Sequence, residues 1–355
     1  MLKKILCFIL ILTMALTLFG CADQPKESTA PTETPAPTIV INPTATPLPT
    51  PTPLPEDIST TTGLHFEEEY RPVGVMIENI PSARPQTGLQ AADFVYETYK
   101  MKAEPRFLAI FSDQTPSTAG PIRSARLPFA DIISEWDAAF AHAGGPQQDH
   151  AANVYDRMAQ LDIRYRFDGL YEDGRLFWRD NSRSMPDNLY CDTADLKAVY
   201  DVEDYEPRPH VTLFDEDKAY AGEDVQSLTL NWLAVMYRPT YTYDADSKLW
   251  LRSHDGVPHT DAATGEQIRV KNVIVQYANC RDLGDYYVTM DTINESGKAQ
   301  FFIEGKMMEG TWERKDVDSQ TVFYDAEGEE FIFKPGNTWI AVYPSNSDHA
   351  EITIN

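Results

Sequence analysis

The sequence predicts a mixed α/β or α+β N-terminal domain followed by a β-rich, antiparallel C-terminal domain. In the first half, apolar runs typical of buried strands alternate with stretches of helical periodicity and long polar loops. In the second half, short strand patterns follow one another closely and are separated by turn residues. A hydrophobic content of 42% provides enough apolar surface for one or two ordinary cores.

Residues 1–20 have the pattern of a bacterial lipoprotein signal peptide. Two lysines precede an apolar run, residues 5–19, which is shorter than the roughly 20 residues of a typical membrane span. The run ends in Leu18-Phe19-Gly20-Cys21, which resembles a lipobox, so we expect Cys21 to carry lipid, palmitate included. The expected location is the cell membrane, lipid-anchored and facing outside the cytoplasm. The alternative is an ordinary secretory signal followed by an unrelated cysteine.

A proline-rich stalk, together with the lipidated cysteine, is predicted for residues 21–62. Ten prolines lie between Pro25 and Pro55, interleaved with threonines, and this composition favours extended polyproline II over a packed core. At about 3.1 Å per residue, such a segment would reach on the order of 100 Å. We interpret it as a spacer that holds the folded part away from the membrane.

The N-terminal domain is placed at residues 63–200. Alternation of Val73, Val75 and Ile77 indicates a buried strand, and apolar residues at helical spacing indicate a helix that ends at Leu161. Pro128 suits the first turn of another helix. Predicted strands span residues 71–79, 92–99, 106–112 and 138–142, and predicted helices span residues 128–136 and 146–161.

The C-terminal domain is placed at residues 227–355, after an acidic connection at residues 201–226. Its short strands suggest an antiparallel sandwich or a barrel-like sheet, because turn residues recur between them. The predicted strands span residues 227–235, 241–243, 248–252, 267–277, 286–290, 299–304, 307–312, 321–324, 330–333 and 338–343.

Arginine is concentrated in the N-terminal domain. Eleven of the seventeen arginines lie between residues 63 and 200, against three of the thirteen lysines, in a chain whose net charge is −25. The acidic net charge argues against non-specific binding to nucleic acid or to anionic lipid surfaces. Guanidinium groups bind carboxylate or phosphate through two parallel hydrogen bonds. Two interpretations stay open: an anion-binding cleft, and internal ion pairing with the abundant Asp and Glu.

Two segments are predicted to form the site together. The first, residues 120–126 (GPIRSAR), is a turn that leads toward a helix start and lacks the nucleotide P-loop pattern. The second, residues 138–145 (AAFAHAGG), is a strand that runs into His142 and two glycines, which would let a ligand approach the backbone. The predicted ligand-binding residues are Arg84, Arg106, Arg123, Arg126, Ser124, Gly144 and Gly145.

His142 and Glu97 are the candidates for acid–base chemistry. A structural histidine is the alternative for the first, and pairing with an arginine such as Arg106 is the alternative for the second. The segment from His259 to Asp261 offers two metal ligands without an evident third, so neither a metal nor a cofactor is predicted.

Two cysteines remain after the signal peptide and the lipidated Cys21 are set aside. Cys191 and Cys280 fall in different predicted domains, so we expect free thiols rather than a disulfide.

The chain resembles the YerB-like bacterial lipoproteins, which are built from paired N-terminal and C-terminal domains of unknown function. The resemblance spans residues 70–345. It rests on the segments RPVGVMIEN (71–79), ARPQTGL (83–89), Tyr96-Glu97, RFLAIF (106–111), GPIRSAR (120–126), HAGG (142–145), NVIV (272–275), GTW (310–312) and PGNTWI (335–340).

The resemblance implies a lipid-anchored, extracytoplasmic protein and places family motif positions on Arg84, Glu97, Arg106, Arg123, Arg126 and His142. The sequence departs from the family in two places. Residues 100–105 (KMKAEP) replace an acidic, glycine-containing approach to Arg106, and Asp187 stands where a histidine is expected.

The expected function is binding of an anionic or glycopolymer-type ligand through an arginine-rich cleft, with a wall-polymer or lipid-carrier phosphate as the ligand class. The alternatives are an envelope hydrolase or transferase that acts on a phosphate-containing glycopolymer, and a protein-interaction scaffold. Binding is favoured over catalysis because no nucleophile or metal motif is readable. The partners expected are the membrane, through the lipid anchor, and the anionic envelope ligand.

Overall fold

The computed structural model describes residues 55, 57–147, 150–171, 174–200, 205–232, 237–347 and 350–355. The predictions for the signal peptide, for Cys21 and for nearly all of the proline-rich run lie outside these residues.

The described residues are mostly β-strand. In the first half the strands are β1 (Val73–Ile77), β2 (Phe94–Met101), β3 (Glu104–Phe111), β4 (Ala139–His142), β5 (Arg166–Asp168), β6 (Phe177–Arg179) and β7 (Leu189–Cys191). In the second half they are β8 (Leu213–Phe214), β9 (Glu223–Asp224), β10 (Ser227–Leu230), β11 (Pro239–Asp244), β12 (Leu249–His254), β13 (Val257–Pro258), β14 (Arg269–Val270), β15 (Asn272–Gly284), β16 (Tyr287–Asp291), β17 (Glu295–Ile303), β18 (Lys306–Arg314), β19 (Val322–Tyr324), β20 (Ile332–Phe333), β21 (Thr338–Pro344) and β22 (Ile352–Ile354).

The helices are short. They are α1 (Leu127–Ile133), α2 (Val154–Gln160) and α3 (Thr193–Tyr200), with 3-10 turns at Pro81–Ala83 and Ser134–Trp136. Within the described part of the chain, no helix has the length and apolarity that crossing a membrane requires.

One twelve-stranded sheet contains strands from both halves of the chain. Its main order is β19-β18-β17-β15-β21-β2-β3-β1-β4-β5, with β16 added on β15 and β9 on β18. Strand β21 lies between β15 and β2 and runs parallel to both, with Phe94 opposite Thr338. All seven residues of β21 are buried, as expected for a strand in the middle of a covered sheet. The predicted domain boundaries stay predictions. The large sheet contains strands from both predicted domains, residues 63–200 and residues 227–355.

A six-stranded sheet forms the second layer. Its order is β13-β12-β11-β10-β22, with β14 paired to β12. Trp339 of β21 joins it to the large sheet: its ring centroid lies 5.4 Å from that of Phe107 on β3 and 6.2 Å from that of Tyr241 on β11. Trp339 is 1% exposed, so the contact between the layers is dry at this point.

The structure corrects the predicted fold in three respects. The mixed α/β character of the N-terminal region is not confirmed, because its helices are seven or eight residues long beside a large sheet. The helix expected from residue 146 starts only at Val154, since the Asn153 side chain accepts hydrogen bonds from the amides of Tyr155 and Asp156 and caps it there. The C-terminal region is β-rich but not purely antiparallel, because β21 is parallel to β15.

Helix α1 packs closely on the large sheet because β1 contains a glycine. A Cβ atom at Gly74 would lie 2.3 Å from Cδ1 of Ile133, a distance that real atoms do not reach. The approach brings the segment before α1, which carries the two arginines of GPIRSAR, to the end of β1.

Separating the two halves tests the shared sheet. We expect the fragment 55–226 alone to be insoluble or to lack a cooperative thermal transition, because loss of β21 exposes the edge of β2. Co-expression with the fragment 227–355 should restore a soluble complex, measured by co-purification and circular dichroism with the intact chain 55–355 as control. A fragment 55–226 that melts cooperatively at the temperature of the intact chain would contradict this description.

Candidate functional site

The two segments predicted to form a site lie side by side. The amide of Ala125 donates to the carbonyl of Gly144 at 2.9 Å, and the amide of Ala143 donates to the carbonyl of Arg123 at 3.1 Å. The amide of Arg123 in turn donates to Met76 of β1. The GPIRSAR segment therefore crosses the ends of β1 and β4, and β4 delivers the HAGG residues to it.

Glu78 is the anionic centre of this region. It follows β1 and is 0% exposed, and its carboxylate lies 3.0 Å from Nζ of Lys100 and 2.5 Å from Nη2 of Arg106. A third cation, Arg123, places its Nε 3.4 Å from the same carboxylate. Burial alone would raise the pKa of Glu78, but Arg106 and Lys100 outweigh it and hold the pKa well below its ordinary range. Glu78 is thus ionised and bound by several cations at once.

Arg106 is a structural member of this cluster. Its side chain is 2% exposed, and besides the ion pair its Nη1 donates to the carbonyl of Ser124 at 2.5 Å. Arg106 therefore holds the backbone of the GPIRSAR segment from the buried side. Arg106 was predicted to contact a ligand. In the structure its guanidinium is buried and binds Glu78 and the backbone of Ser124 instead.

Arg123 is partly accessible and has two acidic neighbours. Its side chain is 23% exposed, and its Nη1 lies 3.3 Å from Asp187, the residue that stands in place of the histidine expected from the resemblance. The other oxygen of Asp187 accepts a hydrogen bond from Ser82 at 2.8 Å. Asp187 therefore supplies this arginine with an internal anion.

Arg126 lies at the start of α1 and differs from Arg106 and Arg123. Among the described residues, no carboxylate lies within ion-pair distance of it. Its Nη1 donates to the carbonyl of Ala125 at 2.8 Å, and its guanidinium lies 5.5 Å from the ring centroid of Tyr287. Burial and the nearby charge of Arg106 lower its pKa to about 10. Its positive charge is thus placed beside other cations.

Arg84 lies on the loop after β1, half-buried. Its Nη2 donates to the carbonyl and to the side-chain oxygen of Asn79, at 2.8 and 3.2 Å, and its guanidinium lies 5.9 Å from the ring centroid of Tyr237. Burial and the charge of Arg252 lower its pKa to about 10.

Glu97 forms a second buried ion pair, and its partner is not the one suggested from the sequence. Its Oε2 accepts a hydrogen bond from Nη2 of Arg252 at 2.9 Å, and the two side chains are 1% and 0% exposed. Arg106 is paired with Glu78 instead. The cation of Arg252 also lies over Trp339, 4.8 Å from its ring centroid. Glu97, a candidate for acid–base chemistry, is therefore a carboxylate held in the core by an arginine.

A chain of hydrogen bonds connects the two buried ion pairs. Arg252 can only donate, so Nδ1 of His259 accepts from it and the ring proton sits on Nε2. That Nε2 donates to the side chain of Gln86 at 2.7 Å, and Gln86 donates to the backbone carbonyl of Glu78 at 2.8 Å. Burial and the charge of Arg252 keep the pKa of His259 well below its ordinary value, so the ring stays neutral.

Asp261 adds further hydrogen bonds between the second half of the chain and the loop after β1. Its carboxylate accepts from the amides of Gly88 and Gln90, at 3.2 and 2.8 Å. The pair singled out as two metal ligands, His259 and Asp261, thus binds the loop after β1. Within the described ranges, no group of three or more His, Cys, Asp or Glu side chains is placed to hold a metal ion.

His142 is buried at the end of β4, away from Glu97. Its Nδ1 donates to the carbonyl of Gly144 at 3.1 Å, and Asp168 lies 3.9 Å away. Burial lowers the pKa of His142, although Asp168 acts against this shift. Strands β3 and β1 separate β2 from β4, so Glu97 and His142 lie on strands roughly 14 Å apart. The structure does not bring the two catalytic candidates together.

The glycines of the HAGG segment serve packing. A Cβ atom at Gly144, whose φ is +73°, would lie 2.7 Å from Leu170, and one at Gly145 would lie 2.4 Å from Val154. Gly144 also lies near Ser124, whose Oγ is 3.9 Å from that Cβ position. These close approaches allow the loop after β5 and helix α2 to close on the arginine segment.

Sequence reasoning missed Glu78, Lys100, Gln86 and Arg252 as members of the site. Glu78 directly follows the wholly apolar strand β1. An acidic residue at the end of a buried strand indicates that its carboxylate is buried beside a cation. Lys100 belongs to the KMKAEP segment that departs from the family, and its contact with Glu78 gives that departure a structural role. Cys191 and Cys280 are both free, as expected.

A large open groove lies elsewhere on the surface. It measures about 1000 Å³ and runs over β15, β17 and β18. Its lining includes Asp291, Glu295, Glu309 and Glu327, so its charge does not suit an anion.

Comparisons with known proteins agree on one group of relatives. The family described as "Protein of unknown function (DUF3048) N-terminal domain" matches residues 61–206, and its C-terminal counterpart matches residues 228–340. The protein named "Putative lipoprotein YerB" from Bacillus subtilis (strain 168) is 31% identical over 293 residues, which cover 80% of this chain and 85% of that relative. The crystal structure of YerB protein from Bacillus subtilis is similar, with a TM-score of 0.71 and 30% identity over 83% of this chain and 99% of the solved one.

Replacement of Glu78 tests the anionic centre. We expect Glu78→Gln to reduce the free energy of unfolding by about 3–5 kcal/mol, because the buried cations lose their shared anion. The depressed pKa of Glu78 also makes the wild-type chain lose stability as the pH falls below the ordinary carboxyl pKa of 4.5, and this acid dependence should be shallower in the variant.

Urea unfolding of both proteins between pH 3 and 7 provides the measurement, with Glu69→Gln as control, since Glu69 forms an ion pair while 80% exposed. A loss below about 1 kcal/mol in Glu78→Gln, or an unchanged acid dependence, would show that the cluster does not depend on this carboxylate.

Proposed function

The chain belongs to the YerB-like family, whose members carry paired DUF3048 domains, and on this premise we propose that it is a lipid-anchored, extracytoplasmic protein that binds a phosphate-type anion at Arg123 and Arg126. The membership confirms the resemblance noted in the sequence. The relative from Bacillus subtilis bears the name of a lipoprotein, and the lipobox-like sequence at Cys21 supports the same assignment for this chain.

The observation that carries the binding proposal is the charge of Arg126. Lys100, Arg106 and Arg123 surround Glu78, and Lys100 and Arg123 each have a second carboxylate, Glu104 and Asp187. Arg126 adds a cation with no carboxylate of the described chain within ion-pair distance, so the cations outnumber the carboxylates by one. A partly buried cation among other cations is unfavourable unless an anion compensates it. In a chain of net charge −25, such a local excess is a feature that internal ion pairing does not explain.

Arg126 is also arranged as a ligand-binding group. Contact with the ring of Tyr287 limits the rotation of its guanidinium, and one of its donors is fixed on the Ala125 carbonyl. A planar, restrained guanidinium suits two parallel hydrogen bonds to a phosphate. Arg123, which is 23% exposed, adds a second cation. A bound ligand would replace Asp187 as the anion that contacts this arginine.

Binding is better supported than catalysis. Glu97 is held by Arg252 in the core, and His142 donates a hydrogen bond from Nδ1 to a backbone carbonyl. Both side chains are only 1% exposed, so neither offers a solvent-accessible group for acid–base chemistry. The phosphate class fits envelope glycopolymers and lipid-linked phosphates alike.

Removal of Arg126 tests the anion site. The chain 55–355 should be stabilised by millimolar pyrophosphate, and Arg126→Ala should weaken this binding by about tenfold or more, since hydrogen bonds to charged groups contribute about 1.5–3 kcal/mol. Arg123→Ala should give a smaller loss, because Asp187 competes for that side chain. Thermal shift and calorimetric titration provide the affinities.

Arg164→Ala is the matched control, since Arg164 has a 57% exposed side chain and pairs with Asp162 outside the site. Equal weakening in the control, or pyrophosphate binding that survives in the Arg123→Ala, Arg126→Ala double variant, would exclude these arginines as the anion site.

Replacement of Cys21 tests the anchor. In a bacterial host, the full chain should fractionate with membranes and carry the mass of attached acyl chains, and Cys21→Ser should release it into the soluble extracytoplasmic fraction. Cys191→Ser is the control for loss of a thiol elsewhere. Retention of Cys21→Ser in the membrane without lipid would point to an uncleaved signal segment as the anchor.

A further inference from the structure

Large apolar side chains are exposed in one short part of the chain. In the described structure, eight such side chains are strongly exposed, and half of them fall between residues 170 and 185. Their exposed fractions are 54% for Leu170, 73% for Tyr171, 39% for Trp178 and 70% for Met185. Exposed apolar groups that cluster in this way mark interaction surfaces more often than scattered single residues do.

The four side chains belong to the loop after β5 and to the neighbouring β6–β7 hairpin, both beside the arginine segment. Leu170 and Tyr171 follow β5, and a Cβ atom at Gly169 in this loop would lie 2.8 Å from Leu189 and 2.9 Å from Phe177 of the β6–β7 hairpin. Trp178 lies on that hairpin, and Met185 lies in its turn. We call these residues the loop surface: Leu170, Tyr171, Trp178 and Met185.

The loop surface is connected directly to the arginines of the candidate site. Asp187, two residues after Met185, pairs with Arg123, and the position of Gly144 next to Ser124 is also in contact with Leu170. A ligand or surface that covers the loop surface therefore also covers the GPIRSAR segment.

The charges near the loop surface are less negative than the average of the chain. Between residues 162 and 187 the sequence has five arginines against six acidic residues, so this segment is close to neutral in a chain of net charge −25. Arg166, Arg175 and Arg179 are exposed. At physiological ionic strength, charges beyond about 8 Å are screened, so local arginines rather than the net charge decide the interaction at contact.

We propose that the loop surface docks on the headgroup region of a phospholipid bilayer. Leu170, Tyr171 and Met185 would enter the interface, where a Trp and a Tyr side chain are favoured, while neighbouring arginines face lipid phosphates. This proposal rests on the proposed function for its source of membrane. With a lipid anchor at Cys21, the spacer expected at residues 21–62 would set only the greatest distance from the bilayer, so the folded part could still approach it.

Trp178 provides a built-in reporter. It is 39% exposed, whereas Trp136, Trp232, Trp250, Trp312 and Trp339 are each 0–1% exposed. Bromine atoms placed on lipid acyl chains quench tryptophan only at short range, so docking would be seen as quenching of this one side chain.

The experiment uses the chain 55–355, which contains every strand and helix described. It is mixed with vesicles of brominated phosphatidylcholine and phosphatidylglycerol at three to one. We expect sedimentation with the vesicles and quenching of fluorescence, with quenching absent in Trp178→Phe. The triple variant Leu170→Ser, Tyr171→Ser, Met185→Ser should bind at least tenfold more weakly.

The matched control is Leu64→Ser, Val257→Ser, Tyr286→Ser, which removes three side chains that are 49%, 66% and 73% exposed elsewhere. It should bind like the wild type, and free glycerol 3-phosphate should leave quenching unchanged. The proposal is overturned if the wild type does not bind vesicles, if both triple variants lose binding equally, or if quenching persists in Trp178→Phe.

Failure of this proposal is distinguishable from failure of the proposed function. The vesicle assay uses a chain without Cys21, so it does not depend on lipidation, and the pyrophosphate assay contains no lipid. A chain that binds pyrophosphate through Arg126 but not vesicles keeps the anion site and loses the docking surface.

Discussion

The ion pair between Glu97 and Arg252 is the interaction on which the rest of the structure depends. It joins residues 155 positions apart, and both side chains are removed from water. Breaking either half of such a pair would leave an unpaired charge in the core, which is strongly unfavourable. The pair therefore fixes the six-stranded sheet on the large sheet, and the hydrogen bonds through His259 and Gln86 carry that constraint to the backbone of Glu78.

Local pattern predicted much of this structure. The alternation of Val73, Val75 and Ile77 located β1, and turn residues separated nearly all strands of the second half. The sequence analysis also predicted that GPIRSAR and HAGG form one site, and backbone hydrogen bonds place the two segments side by side. These features depend on residues close together in sequence, where period and turn chemistry act directly.

Features that depend on distant residues were not predictable. The sequence contains many acids and arginines, and nothing in it pairs Glu97 with Arg252 rather than with Arg106. The pairing of β21 with β2 could not be predicted from the sequence either, because the pattern of an apolar strand that is buried on both faces does not indicate which strand it pairs with. The division of the arginines into buried supports such as Arg106 and partly accessible groups such as Arg126 likewise follows from packing, which periodicity does not report.

The position of β21 has a consequence for the order of folding. β21 begins at Thr338, whereas its two neighbours in the sheet end at Met101 (β2) and at Gly284 (β15). Both neighbours are therefore synthesised first, and they cannot be joined until β21 is available. A chain cut before Thr338 would leave one edge of β2 and one edge of β15 without a partner, and open strand edges of this kind promote aggregation.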